Sequence, residues 1–149
     1  MLVRVHAAAA TVAFLTILTF WISTVFSEAF MPAATIVAVK RGVLWGLLLL
    51  VPALVLTGAT GFRLGQRRKD ALTRAKRLRM PVIAGNGILV LIPCAIYLAV
   101  NAEAGRFDAG FAVVQGVELL VGAINLGLMG LNIRDGRKLS SAARARATG

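Results

Sequence analysis

Four long apolar runs decide what this chain can become. They cover residues 5–26, 42–62, 81–101 and 109–133. A bilayer core of about 30 Å takes ~20 apolar residues per helix, so each run is long enough to span it. Together they use most of the 149 residues and leave no room for a soluble catalytic domain. Composition agrees: 58% of residues are hydrophobic and 15% charged, against about 45–50% and roughly 25% in soluble domains. The first run exceeds the roughly 7–15 apolar residues of a signal peptide and reads as a retained helix. The expected fold is all-α, an integral membrane four-helix bundle over residues 1–139, with 140–149 as a flexible basic tail. Residues 27–41 read as the first external connection.

A net charge of +11 would suggest nucleic acid on a soluble protein. Its distribution points instead to membrane topology. Arg63, Arg67, Arg68, Lys69, Arg74, Lys76, Arg77 and Arg79 fall between the second and third runs. Arg134, Arg137, Lys138, Arg144 and Arg146 follow the fourth. With Arg4, fourteen of the seventeen Lys and Arg lie on one side; Lys40, Arg41 and Arg106 lie on the other. The positive-inside rule gives an N-in/C-in arrangement in a bacterial inner membrane, with both termini cytoplasmic. The eight basic residues of the central loop are expected to meet anionic lipid headgroups. No aromatic-interleaved basic motif supports nucleic-acid binding.

The fourth run carries the most informative pattern. Gln115, Glu118, Gly122, Asn125, Met129 and Asn132 are spaced 3, 4, 3, 4, 3, which puts them on one helix face. Unsatisfied polar groups facing lipid cost several kcal/mol, so this stripe should face other helices or a partner chain. Glu118 is the acidic residue deepest within an apolar run, and an intramembrane carboxylate is a candidate for function. The plainer reading is a hydrogen-bonded side chain that holds helices together. On the third run Asn86, Pro93, Tyr97 and Asn101 share a side by α-helical spacing. On the first, Thr16, Thr19, Ser23 and Ser27 do. The expected polar interior is therefore Glu118, Gln115, Asn125, Asn132, Tyr97, Asn86, Thr19 and Ser23.

Pro52 and Pro93 lie near the middle of their runs, where each removes a backbone hydrogen bond and should kink its helix. His6 is the single histidine. It is an ordinary residue for a helix end, and as a haem ligand it would need a second chain. Cys94 is a lone cysteine in an apolar run, which reads as a small hydrophobe. The spacings contain no zinc motif, catalytic triad, P-loop or dinucleotide fingerprint.

The stretch around His6, the segment Thr19-Phe20-Trp21-Ile22-Ser23-Thr24, the glycines Gly58 to Gly65 before the basic loop, and Arg79-Met80-Pro81 resemble uncharacterised short four-helix bacterial inner-membrane proteins. The resemblance covers most of the chain and implies no activity. The function expected is that of a non-enzymatic accessory, assembly or scaffold subunit, partnered by another membrane protein or by itself, without a cofactor. One alternative is a small proton-coupled carrier using Glu118. Another is a redox module holding haem b or quinone through His6 or the Tyr97/Glu118 region.

Overall fold

The computed structural model describes residues 1–66 and 71–147, with side chains as far as Ser141. The described residues form helices with short breaks: α1 (Leu2–Phe30), α2 (Ala33–Gly65), α3 (Ala71–Gly85), a π-helical stretch (Asn86–Leu91), α4 (Ile92–Glu103) and α5 (Ala109–Ala147). From α3 through α4 the helix is continuous over Ala71–Glu103, giving four helices long and apolar enough to cross a membrane. Arg67, Arg68 and Lys69 lie outside the described residues, as do the side chains of Arg144 and Arg146.

The helices alternate in direction. His6 of α1 meets Thr60 of α2, and Arg79 of α3 meets Asp135 of α5, so both chain ends share one end of the bundle, here termed the terminal end. The opposite, turn end holds the breaks at residues 31–32 and 104–108. Around the bundle the order is α1, α2, the α3–α4 helix and α5. Only 17–22% of each helix's most apolar window is buried. Leu48, Leu89 and Trp45 stand 69%, 76% and 69% exposed. Such a surface is stable only where the surroundings are themselves apolar. The buried centre is small, formed by Ala13 and Ile17 of α1, Leu50 and Ala53 of α2, Ile83 of α3 and Met129 of α5.

Except at the start of α5, the helices outrun the apolar runs at their ends, because backbone hydrogen bonding does not stop where hydrophobicity does. Residues 27–41 are helical except at Met31 and Pro32, not an extended connection. Pro32 precedes the first turn of α2, a position where the lack of an N–H costs nothing. This extension draws Lys40 and Arg41 into α2. The second turn uses Gly105 at φ 68°, a left-handed conformation that suits glycine. Asp108 Oδ1 then accepts from the Phe111 N–H at 2.9 Å, an N-cap for α5. At its far end α5 continues through Ala147 rather than ending near residue 133; the tail is rich in alanine and arginine, both strong helix formers.

Pro52 lies inside α2 and Pro93 at the second position of α4, directly after the π stretch. That stretch bonds Ile92 N–H to the Gly87 carbonyl, five residues back. A π turn inserts a residue into the helical phase, rotating everything beyond it by about 100° relative to an α-helix. Asn86 therefore points inward while Pro93 and Tyr97 come to the exposed side, Tyr97 at 41%. Ala95, Leu98, Ala99 and Ala102 form the buried face instead.

Candidate functional site

α5 supplies one side of a polar column through the bundle. Phe111, Gln115, Gly122, Asn125, Met129 and Asp135 are buried, with Glu118 and Asn132 partly so. The column has three rungs, the first tied to α2 and α1 and the other two to successive levels of the α3–α4 helix.

At the turn end the rung is centred on Lys40 of α2, 1% exposed. It follows Ile36 and precedes Val43, Leu47 and Leu50 at helical spacing, so it belongs to the inward face of α2. Its Nζ donates to Glu118 Oε2 at 3.0 Å and to Gln115 Oε1. Gln115 Nε2 donates to the same Glu118 oxygen at 3.1 Å. Glu28 of α1 places Oε1 3.7 Å from Lys40 Nζ; that oxygen is buried and has no hydrogen-bond partner. Two carboxylates thus face one ammonium. Arg41, one residue on, points outward to Glu103 at 2.9 Å, with both side chains exposed.

The middle rung is neutral. Asn86 Nδ2, from the π stretch, donates to Asn125 Oδ1 at 3.0 Å, and Asn125 Nδ2 donates to the Ile83 carbonyl at 3.3 Å. Asn125 is 1% exposed, so a missing bond here would leave a buried amide unsatisfied.

At the terminal end Asp135, 1% exposed, accepts from Arg79 Nη1 at 2.7 Å and Arg134 Nε at 3.3 Å. Arg79 also reaches Asn132 Oδ1 at 3.4 Å. Arg79, expected among the lipid-facing basic residues, is thus turned into the bundle toward α5. Of that set, Arg77 lies over the Phe62 ring at 6.0 Å, and Arg63 is exposed at the end of α2. Arg74 is exposed too, and Lys76 is partly buried with its Nζ beside Gly136. Close by, His6 Nδ1 and Thr60 Oγ1 are 3.0 Å apart. The Thr60 hydroxyl donates to the Leu56 carbonyl at 2.5 Å, which assigns the shared proton to His6 Nδ1.

Between the first two rungs lies a cavity of about 270 Å³. Its wall is nearly all apolar, with Ile17, Trp21, Leu47, Leu50, Leu91 and Leu119 among its lining. Glu118 and Thr24 stand toward the turn end and Asn125 toward the other. Trp21 Nε1 donates to the Leu119 carbonyl at 2.9 Å, and the indole packs so closely on Gly122 that a Cβ there would lie 3.1 Å from Cδ1. That contact is one reason residue 122 is glycine.

Several residues expected in the interior lie elsewhere. Thr19 is on the exposed side of α1, and Ser23 donates to its own helix at Phe20 O, 3.0 Å away. The inward face of α1 carries Ser27, as the Thr/Ser spacing places it, together with Thr24, one residue beyond Ser23. Tyr97 has its hydroxyl over Gly110, at the start of α5, away from Glu118. His6 sits near the terminal end, so His6, Tyr97 and Glu118 are not brought together. Lys40 and Asp135 were not expected here. For Lys40 the signal is its phase with the apolar stripe of α2; for Asp135 it is one further step of three beyond Asn132. Among the described residues no three His, Cys, Asp or Glu side chains form a metal-sized group.

Comparison with family models, with curated proteins and with solved structures finds no match for this chain. Its site is therefore read from its own geometry.

Proposed function

We propose that this chain is a non-enzymatic protein of the bacterial inner membrane, with four spans and both termini cytoplasmic, serving as an accessory or assembly subunit for another membrane protein. The observation that carries the reading is the matching of interior charge across helices. Lys40 ties α2 to α5 through Glu118, and Arg79 ties α3 to α5 through Asp135. An acid engaged this way is suited to fixing helix register. The fourteen-to-three split of basic residues supports the orientation, and the basic loop suits contact with anionic lipid. Native mass spectrometry from mild detergent tests the reading. The expected result is a stoichiometric complex with a different membrane protein. Purified chain found only alone or as its own oligomer in the native membrane extract would overturn it.

A second reading, a proton-coupled carrier, is favoured by one observation: Glu118 lines the intramembrane cavity. Proton flux into proteoliposomes holding this chain alone, abolished by Glu118→Gln, would support it and displace the first.

A further inference from the structure

The cavity beside Glu118 has three properties that together specify a guest. The first is access. Val51, Val55 and Ile88 line it and are 41%, 63% and 64% exposed on the outer surface of the bundle. Its mouth thus opens sideways between α2 and the π stretch, where a spanning bundle meets hydrocarbon. The wall there is thin, because Gly87 lines the cavity and a Cβ at that residue would meet nothing within 4 Å. The second is size. A cavity of about 150 Å³ holds benzene, so 270 Å³ holds roughly a dozen non-hydrogen atoms by the same scale.

The third is charge. Glu118 takes its bonds from Lys40 and Gln115 on Oε2 alone; Oε1 accepts none among the described residues. Glu28, on the far side of Lys40, adds a second carboxylate to the same ammonium. The rung therefore holds two carboxyl groups to one ammonium and offers an unused acceptor at the edge of an apolar chamber. A carboxylate ligand would be repelled there, and a purely apolar one would leave the acceptor bare. A charge-assisted bond from an ammonium satisfies both conditions.

We infer that the cavity between α1, α2, the π stretch and α5 binds a small lipophilic amine, entering from the bilayer, with its ammonium on Glu118 Oε1 and its apolar body against Trp21, Leu50 and Ile88. The inference is independent of the accessory-subunit reading, since binding requires neither a partner nor flux.

Trp21 lines the chamber and reports on it directly. The full chain carrying Trp45→Phe, which removes the other, exposed indole, is placed in lipid nanodiscs and titrated with 4-phenylbutylamine. Empty nanodiscs are the blank, and 4-phenylbutyrate and 4-phenylbutanol are the comparison probes. The expected result is a saturable change in Trp21 emission with the amine, about tenfold weaker or more with the alcohol and absent with the carboxylate. Glu118→Gln should weaken amine binding about tenfold. As that variant alters an internal ion pair, Ile88→Phe, which adds bulk without a second indole, provides a separate check. Ile88 is exposed at the mouth, so the substitution blocks entry with Glu118 left in place, and it should abolish the saturable response. A response that only rises linearly, as in empty discs, overturns the inference. So do equal affinities for amine, alcohol and carboxylate, or an unchanged affinity in both variants.

Discussion

Replacing Lys40 by methionine tests the turn-end rung most directly. The ammonium is 1% exposed and 3.0 Å from Glu118 Oε2. In a surrounding of effective dielectric about 20, such a pair attracts by about 5 kcal/mol. Desolvating each ion costs several kcal/mol in return. The pair as a whole is therefore worth little against well-packed apolar side chains, while either half alone is costly. Because Glu28 also faces the ammonium, at 3.7 Å, the comparison is made in a Glu28→Gln background, taken as the parent; there Lys40→Met should destabilise the bundle by about 3–5 kcal/mol, and Glu118→Leu by a similar amount, because each strands a buried charge. The double variant strands none in this pair, although Gln115, 6% exposed, loses both partners at a cost of about 1–3 kcal/mol. The double variant should then lie only about 1–3 kcal/mol below the parent, whereas additive losses would give about 6–10 kcal/mol. Unfolding in mixed micelles with increasing denaturing detergent, run as a double-mutant cycle, reads these differences. Additive losses in the double variant would refute the ion pair as the reason for the two single effects.

Three further outcomes follow from particular contacts. With Cys94 removed, cysteine at Ala104 should react with an impermeant reagent from the periplasmic side while cysteine at Ala71 should not; the reverse pattern refutes the orientation proposed above. Gly46→Leu should destabilise by about 1–3 kcal/mol through overpacking, because the Phe20 ring lies where a Cβ would go, whereas Gly58→Ala, with nothing within 4 Å, should melt within about 0.5 kcal/mol of the parent. Asp135→Leu should cost about 3–5 kcal/mol by leaving Arg79 unpaired inside the bundle, while Arg134→Gln, at a side chain 58% exposed, should change thermal stability by no more than about 1 kcal/mol; equal effects of the two would remove Asp135 from the helix-fixing role.

What could be read without the fold was set by hydropathy and period. Four runs of sufficient length require four helices, because a backbone in hydrocarbon must satisfy its own hydrogen bonds. The spacing on the fourth run puts Gln115, Glu118, Gly122, Asn125, Met129 and Asn132 on one face, and the structure buries Gln115, Gly122, Asn125 and Met129. An uninterrupted α-helix keeps phase with its sequence, so the inward face of α5 is readable from Gln115 to Asn132, although the helix itself runs on to Ala147. The third span is not, since the π stretch Asn86–Leu91 advances the phase by one residue and carries Pro93 and Tyr97 outward. Nothing in the spacing of 86, 93, 97 and 101 announces that insertion.

The sequence by itself determined the number of spans, the lipid-facing character of their surfaces and the polar stripe of α5, because each depends on residues near one another along the chain. Tertiary structure decided which charge answers which. A hydropathy reading puts Lys40 in a loop and Arg79 against lipid headgroups. In the fold, α2 begins at Ala33 and turns Lys40 onto Glu118, 78 residues away, while α3 turns Arg79 onto Asp135, 56 residues away. A buried charge is settled by the nearest opposite charge in space, and that neighbour exists only once the helices have packed.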